Sequence, residues 1–221
     1  MNPCAIVVGL LAVLLAGCSQ ERTPTELVVT PQGPPESPSE LVDQLATAYG
    51  ELDYQSFLSL LAHVPAGPQF LFLTAPNAGE PHWSYDVEAR IHQRMFEPEN
   101  TPTGQNPVPP EVVLTEIEIV LVPVAPFTER VDLYQSDQNP AGLPANRWKA
   151  MDGLYTTEVL FQMQGDRAFL IWGLASFVVI EDLEKSAGEL GKHLLWQWND
   201  LPRKPSSEDE RTWTEVKRLY N

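Results

Sequence analysis

The stretch RAFLIWGLASFVVIE, residues 167–181, decides the fold that this sequence predicts. Both of its alternating sets consist mainly of large apolar side chains: Leu170, Trp172, Val178 and Ile180 alternate with Phe169, Ile171, Phe177 and Val179. Because successive side chains of a strand point to opposite faces, the stretch is predicted to be a strand buried on both faces, in the middle of a sheet. Gly165-Asp166 before it has the form of a two-residue hairpin turn, which predicts an antiparallel neighbour.

Four other patterns supply the remaining strands. Residues 112–122 and 153–164 alternate apolar with polar side chains, as half-exposed strands do. Residues 192–200, KHLLWQWND, form another strand with two tryptophans predicted to lie on one face. A short apolar run at residues 69–75, flanked by prolines, completes the predicted sheet.

Two helices are predicted at the start of the domain. Ser37-Pro38-Ser39-Glu40 has the form of a capping box with proline at the first helical position, and apolar residues at helical spacing follow as far as Leu52. Asp53 is suited to cap a second helix over residues 54–63, which Pro65 would stop. The folded domain is therefore predicted to begin at Ser37.

A third helix and a tail helix complete the predicted elements. Residues 83–96 carry an apolar stripe, and Ser84 is the expected cap. A short helix near the end of the chain is predicted to be capped at Ser206 or Ser207. Helices followed by an antiparallel sheet predict the α+β class.

Composition limits the chemistry of the chain. It has 221 residues, 43% of them hydrophobic, which fits one domain with appendages. A net charge of -16 would repel nucleic acid and anionic lipid head groups. The two cysteines, Cys4 and Cys18, precede the predicted domain, so the domain has no thiol for a disulfide or a nucleophile. The histidines lack metal-binding spacing and no phosphate loop is present, so neither a metal nor a cofactor is predicted.

The N-terminal segment has the features of an export signal. Residues 5–16 are entirely apolar, but this run is shorter than the roughly 20 residues that a membrane-spanning helix needs. Leu15-Ala16-Gly17-Cys18 resembles the bacterial lipobox, in which the cysteine is acylated and becomes the mature N-terminus. The resemblance implies a lipoprotein held in the bacterial cell envelope by lipid on Cys18, and we expect the periplasmic face of the outer membrane. The alternative is an ordinary buried helix.

The sequence is thus predicted to have four parts. The signal peptide is followed by a proline-rich stretch that is too poor in apolar side chains to order itself and is expected to act as a tether. The α+β domain and a tail with a short helix complete the chain. The predicted boundaries are 1–17 for the signal peptide, 18–36 for the tether, 37–201 for the domain and 202–221 for the tail.

Several runs carry a resemblance to a known group of proteins. The helix pair AYGELDYQSFLSLLA, followed by a short strand, a third helix and long antiparallel strands, resembles the nuclear transport factor 2-like superfamily. The runs RIHQRMF, GDRAFLIWGLASFVVIEDL, WQWNDL and TWTEVKRLY are similar to bacterial envelope lipoproteins built on that fold. The resemblance implies N-terminal helices packed on a curved antiparallel sheet that forms a cone, and it implies a location rather than an activity.

Some members of the superfamily use a residue inside the cone as a general base, which suggests a small-molecule isomerase or hydrolase as one hypothesis. The candidate bases are His92, Tyr85, Glu158 and Asp200, with Asp152 and Tyr155 also considered. Each also has a structural interpretation. His92 would be a surface or paired histidine, Asp152 a turn residue before a glycine, and Asp200 a cap or an ion-pair partner.

The favoured hypothesis is a non-catalytic domain that binds an apolar small molecule or a protein partner. Trp172, Phe177, Trp196 and Trp198 lie on neighbouring predicted strands and are the candidates for lining an apolar pocket, with core packing as the alternative. An open sheet face could also support a homodimer, as it does in related folds. An interior filled with aromatic side chains would count against catalysis.

Overall fold

The computed structural model describes residues 33–74, 81–100, 106–135, 142–165, 167–186, 188–202 and 210–221. The predicted signal peptide, the acylation site Cys18 and the predicted caps Ser206 and Ser207 lie outside these ranges. No helix within them has both the length and the apolar character needed to cross a membrane.

The described strands form one mixed sheet with β5 near its middle. The order is β2-β1-β6-β5-β4-β3, and β7 adds a short parallel pairing to β5. Neighbours are antiparallel except for β1 with β6 and β5 with β7. The strands are β1 Leu71–Leu73, β2 His82–Ser84, β3 Leu114–Glu129, β4 Trp148–Met163, β5 Arg167–Asp182, β6 His193–Pro202 and β7 Glu210–Arg211.

Helices cover one face of this sheet. They are α1 Pro38–Gly50, α2 Tyr54–Leu60, α3 Tyr85–Phe96 and α4 Trp213–Arg218. Ser37 and Asp53 accept N-cap hydrogen bonds from Glu40 and Ser56, as the sequence predicted. The α+β class, with N-terminal helices packed on a curved antiparallel sheet, is confirmed.

The prediction that β5 is buried on both faces is correct only for its second half, because Trp172 in the first half is 48% exposed on the face away from the helices. Phe177 and Val179 belong to the main core under the helices, whereas Val178 and Ile180 belong to a second cluster on the other face. Because β5 lies between β4 and β6, its backbone is paired along both edges.

Three local predictions differ from the structure. The second helix ends at Leu60 rather than residue 63, because Leu61 turns into an extended bridge with Leu195 of β6. The last helix is capped by Thr212, which forms a complete capping box with Glu215. The third helix begins at Tyr85 with the expected Ser84 at the N-cap position, but Ser84 makes no side-chain capping bond and Trp83 of the predicted range lies in β2.

The predicted common face of Trp196 and Trp198 is wrong. The pairing of β6 with β5 shifts between Val178 and Val179, so that Trp196 is an extra, unmatched residue. Such a β-bulge rotates the side chains that follow it to the opposite face. Trp198 therefore enters the main core, whereas Trp196 packs against the second cluster.

A row of aromatic rings crosses the helix-covered face of the sheet. Trp83, Phe72, Trp198 and Phe177 are successive cross-strand partners on β2, β1, β6 and β5. The next partner is Gly153 of β4, where an added Cβ would lie 2.7 Å from the ring of Phe127. The glycine lets that ring close one end of the row.

Candidate functional site

Three helices bring four polar side chains together above the aromatic row. Tyr49 comes from the last turn of α1, Glu88 and His92 from α3, and Lys217 from α4. Each of the four residues has 0% exposure. Burying ionisable groups is unfavourable unless they are paired and hydrogen-bonded, so their contacts decide what this cluster is.

The position of each side chain follows from its helix. Glu88 and His92 are four residues apart and therefore lie on the same inward face of α3. Lys217 is likewise four residues after Trp213 on α4. Asp200 of β6 holds the start of α4, since it accepts hydrogen bonds from the Thr214 backbone N–H at 3.0 Å and hydroxyl at 2.7 Å.

Hydrogen bonds connect Tyr49, His92 and Glu88 in a chain. His92 Nδ1 lies 2.9 Å from the backbone oxygen of Glu88 and 3.2 Å from its Oε2. Two acceptors at this nitrogen assign the proton to Nδ1, which leaves Nε2 as an acceptor. The Tyr49 hydroxyl therefore donates to Nε2.

Glu88 is also paired with the ammonium of Lys217. Lys217 Nζ lies 3.1 Å from Glu88 Oε2 and 3.3 Å from Oε1. The same ammonium is 3.6 Å from the ring centroid of Phe72 and 4.4 Å from that of Trp198. The ion pair is thus enclosed by aromatic rings, which attract the cation through their π faces.

Burial and charge shift the pKa values of these groups. Burial raises the pKa of Glu88, but the charge of Lys217 and hydrogen bonds from His92 and Lys217 hold it below its ordinary value. Burial lowers the pKa values of His92 and Lys217, and contact with Glu88 offsets this only in part. Burial, helped by the charge of Glu88, raises the pKa of Tyr49. These directions leave Glu88 ionised and the His92 imidazole and Tyr49 phenol neutral at neutral pH, with Lys217 Nζ at ion-pairing distance from Glu88.

We expect acid to destabilise the domain through His92. The pKa of His92 is lowered in the folded state, so below about pH 6.5 the unfolded chain binds a proton that the folded chain does not. The free energy of unfolding should then fall by up to about 1.4 kcal/mol per pH unit. Urea unfolding at about pH 7.5 and about pH 5.5 measures this loss. The loss should shrink in His92→Gln, and an equal loss in both proteins would contradict the assignment.

In the hydrogen-bonded series Tyr49–His92–Glu88, the imidazole is positioned by a carboxylate as the general base of an enzyme would be. Aromatic side chains, however, enclose this series. His92 stacks on Phe57 at a centroid distance of 3.8 Å, and Tyr49 meets the edges of Phe96 and Trp213. The hydroxyl of Tyr49 already donates its hydrogen bond to His92. In this conformation the cluster joins helices to one another rather than facing a substrate.

The structure separates the predicted catalytic candidates. His92 and Asp200 both lie near Lys217, whose charge acts on both of them. Tyr85 instead stacks on His63 at the half-buried surface of α3, at a centroid distance of 4.1 Å. Glu158 is exposed on β4, on the face away from the helices.

The other two candidates also have structural roles. Asp152 lies within β4 rather than in a turn, where it accepts hydrogen bonds from Arg130 and Ser176. Tyr155 is buried in the main core against Phe177. No cluster of three or more metal-ligating side chains occurs in the described ranges.

The predicted pocket-lining side chains do not line one pocket. Phe177 and Trp198 are packed together in the main core, with ring centroids 5.1 Å apart. Trp196 packs against the second cluster, and Trp172 is 48% exposed on the outer face of β5. The structure brings together only the first two.

Sequence reasoning missed Tyr49, Glu88 and Lys217 as members of the site. The four-residue spacing of Glu88 and His92 was a usable signal, since it places both on one helix face. No local signal relates Lys217 to Glu88, because the two residues are separated by 129 positions in the chain.

No family model matches the chain, and no curated protein matches it. Solved structures do resemble it. A candidate aromatic ring hydroxylase from Novosphingobium aromaticivorans is 10% identical, with a TM-score of 0.47 over 81% of this chain and 92% of that one. A candidate dehydratase of the nuclear transport factor 2-like family from Streptomyces avermitilis is 12% identical, with a TM-score of 0.43 over 76% and 94%.

A nuclear transport factor 2-like superfamily protein from Salmonella enterica is 10% identical, with a TM-score of 0.41 over 76% of this chain and 90% of that one. Two of these three proteins thus carry the name of the group that the sequence resembles. Likenesses of this strength do not identify an activity for this chain.

Proposed function

We propose that this chain is a lipid-anchored protein of the bacterial cell envelope, with a nuclear transport factor 2-like domain that binds a protein surface and catalyses no reaction. The lipobox-like sequence ending at Cys18 supports the anchor. The observation that carries the binding role is the contrast between the two faces of the sheet. The helix-covered face is filled by the chain's own buried rings, whereas part of the other face exposes apolar side chains.

This exposed area, the outer sheet surface, comprises Val120, Val122, Trp172, Leu174 and Leu201. Val120 and Trp172 lie in one cross-strand row with Glu158 between them, and Val122, Leu174 and Leu201 lie in the next with Thr156. Four of the five apolar residues are at least 40% exposed. Apolar side chains grouped on rigid strands are typical of protein interaction sites.

The partner that we propose for the outer sheet surface is a second copy of the chain. A two-fold contact requires only that one apolar surface be complementary to itself. Glu158 and Thr156 lie within the rows, so their polar side chains need water or a polar partner from the second copy in such an interface.

We expect Trp172→Glu to weaken dimerisation by about tenfold or more, because a carboxylate would be buried without a partner at the interface. Sedimentation equilibrium of the chain that starts at Ser19 measures the effect. Leu190→Glu is the matched control, since Leu190 is 74% exposed in the connection between β5 and β6 and lies outside the outer sheet surface. A monomeric wild-type chain at high concentration would refute the homodimer.

The second candidate function is a small-molecule isomerase or hydrolase that uses His92. The hydrogen-bond chain from Tyr49 through His92 to Glu88 favours it. Such an enzyme requires solvent and substrate to reach the ring. A slowly exchanging Nδ1–H signal of His92 in the NMR spectrum would count against it, and rapid exchange would favour it.

A further inference from the structure

The surroundings of Lys217 have the composition of a binding site for an ammonium group. Phe72 and Trp198 are direct partners on the parallel strands β1 and β6, and both present ring faces to Nζ. The carboxylate of Glu88 contributes both oxygens on another side of Nζ. Aromatic rings combined with a carboxylate are the groups with which proteins recognise cationic amines.

The occupant of this site, Lys217, comes from the short helix α4. α4 has six residues, and Lys217 on it is 0% exposed. Its described polar attachments include the Thr212–Glu215 capping box and the hydrogen bonds from Thr214 to Asp200. Trp213, Val216 and Tyr220 are also 0% exposed, so displacement of α4 exposes them, and a ligand that displaces it has to offset this exposure.

The closed arrangement is not the one that stability alone would select. Replacing a buried ion pair by apolar side chains is often neutral or stabilising. In addition, the indole N–H groups of Trp198 and Trp213 are buried with no acceptor among the described residues. Each unpaired buried donor is unfavourable to the closed state.

We propose that Glu88, Phe72 and Trp198 form a binding site for a primary ammonium group, that Lys217 occupies it as an internal ligand, and that α4 is a plug displaced by a ligand bearing such a group. The ligand class follows from the geometry. Two carboxylate oxygens at 3.1 and 3.3 Å from Nζ require N–H donors, which a quaternary ammonium lacks. The proposal is independent of the contact proposed for the outer sheet surface.

Lys217→Ala in the full chain tests whether Glu88, Phe72 and Trp198 bind a primary ammonium group. The substitution removes three carbons and the nitrogen of the side chain, which together correspond to propylammonium. We expect calorimetry to detect much tighter propylammonium binding to this variant than to the wild-type protein, in which the ligand has to displace Lys217. Propanol, which has similar size but no charge, should not bind. Adding Glu88→Gln to Lys217→Ala should weaken propylammonium binding by about tenfold or more.

Two results would overturn the proposed ammonium site. One is equal binding of propylammonium and propanol to Lys217→Ala, and the other is equal binding of propylammonium to the variant and the wild-type chain. If Lys217→Ala does not fold, propylammonium should restore its near-ultraviolet circular dichroism, and failure to do so also counts against the proposal. Lys217→Met fills the space but leaves Glu88 without its counter-charge, so it should be less stable than the wild-type protein and should not respond to propylammonium.

Hydrogen exchange in the wild-type protein tests displacement of the plug. A longer alkylammonium should accelerate amide exchange in residues 213–220 and leave that of α1 unchanged. An unchanged exchange rate in α4 at ligand concentrations well above those that saturate Lys217→Ala would refute the plug. Equal acceleration in α1 and α4 would indicate general destabilisation and refute it as well.

Discussion

Glu88→Gln is expected to lower the free energy of unfolding by about 3–5 kcal/mol, because it leaves the ammonium of Lys217 buried without its counter-charge. The side-chain amide oxygen of the introduced glutamine can still accept a hydrogen bond from Lys217. The loss of stability therefore measures the removal of the negative charge. Lys217 cannot reach solvent without moving α4, since the residue is 0% exposed and lies among Phe72, Trp198 and Trp213.

Urea unfolding followed by circular dichroism measures this loss. Glu51→Gln is the matched control, since Glu51 is an exposed glutamate at the end of α1 and its substitution should change stability by less than about 0.5 kcal/mol. A loss below about 1 kcal/mol for Glu88→Gln would contradict a buried ion pair.

The double variant Glu88→Leu with Lys217→Met separates pairing from packing. Because neither charge remains, we expect it to be more stable than Glu88→Gln and within a few kcal/mol of the wild-type protein. A double variant less stable than Glu88→Gln would show that the ion pair contributes more than an apolar replacement can.

Cys18→Ser is expected to abolish lipid attachment completely. A serine hydroxyl is a much weaker nucleophile than a thiolate, so no lipid can be attached to the side chain at position 18. Two or more acyl chains are needed for stable attachment, and the variant should therefore move from the membrane fraction to the soluble fraction or remain unprocessed. Cys18 lies outside the described residues, so this prediction rests on the sequence.

Metabolic labelling with a radioactive fatty acid in a bacterial host measures the attachment. Cys4→Ser is the matched control, since Cys4 precedes the predicted signal-peptide cleavage site and its substitution should leave labelling unchanged. Equal labelling of Cys18→Ser and the wild-type chain would refute the lipoprotein hypothesis. The proposed homodimer and the ammonium site would stand after such a result.

The fold was largely predictable because its signals are local. Ser37 and Asp53 cap helices where the sequence placed them, and the two apolar sets of residues 167–181 correspond to a strand with both faces covered over much of its length. Errors occurred where a long-range pairing changed a local pattern. The β-bulge at Trp196 is the clearest case, because alternation alone cannot reveal an extra residue opposite β5.

The sequence by itself determined the α+β class, the starts of the first two helices and the central strand. It also determined that the chain is acidic and that the folded domain has no cysteine. Only the tertiary structure decided that His92 is buried and that Tyr49, Glu88 and Lys217 surround it. The physical reason is that caps and alternation depend on neighbours in the chain. The ion pair between Glu88 and Lys217, which are 129 positions apart, depends instead on the order of the strands and on where α4 packs against them.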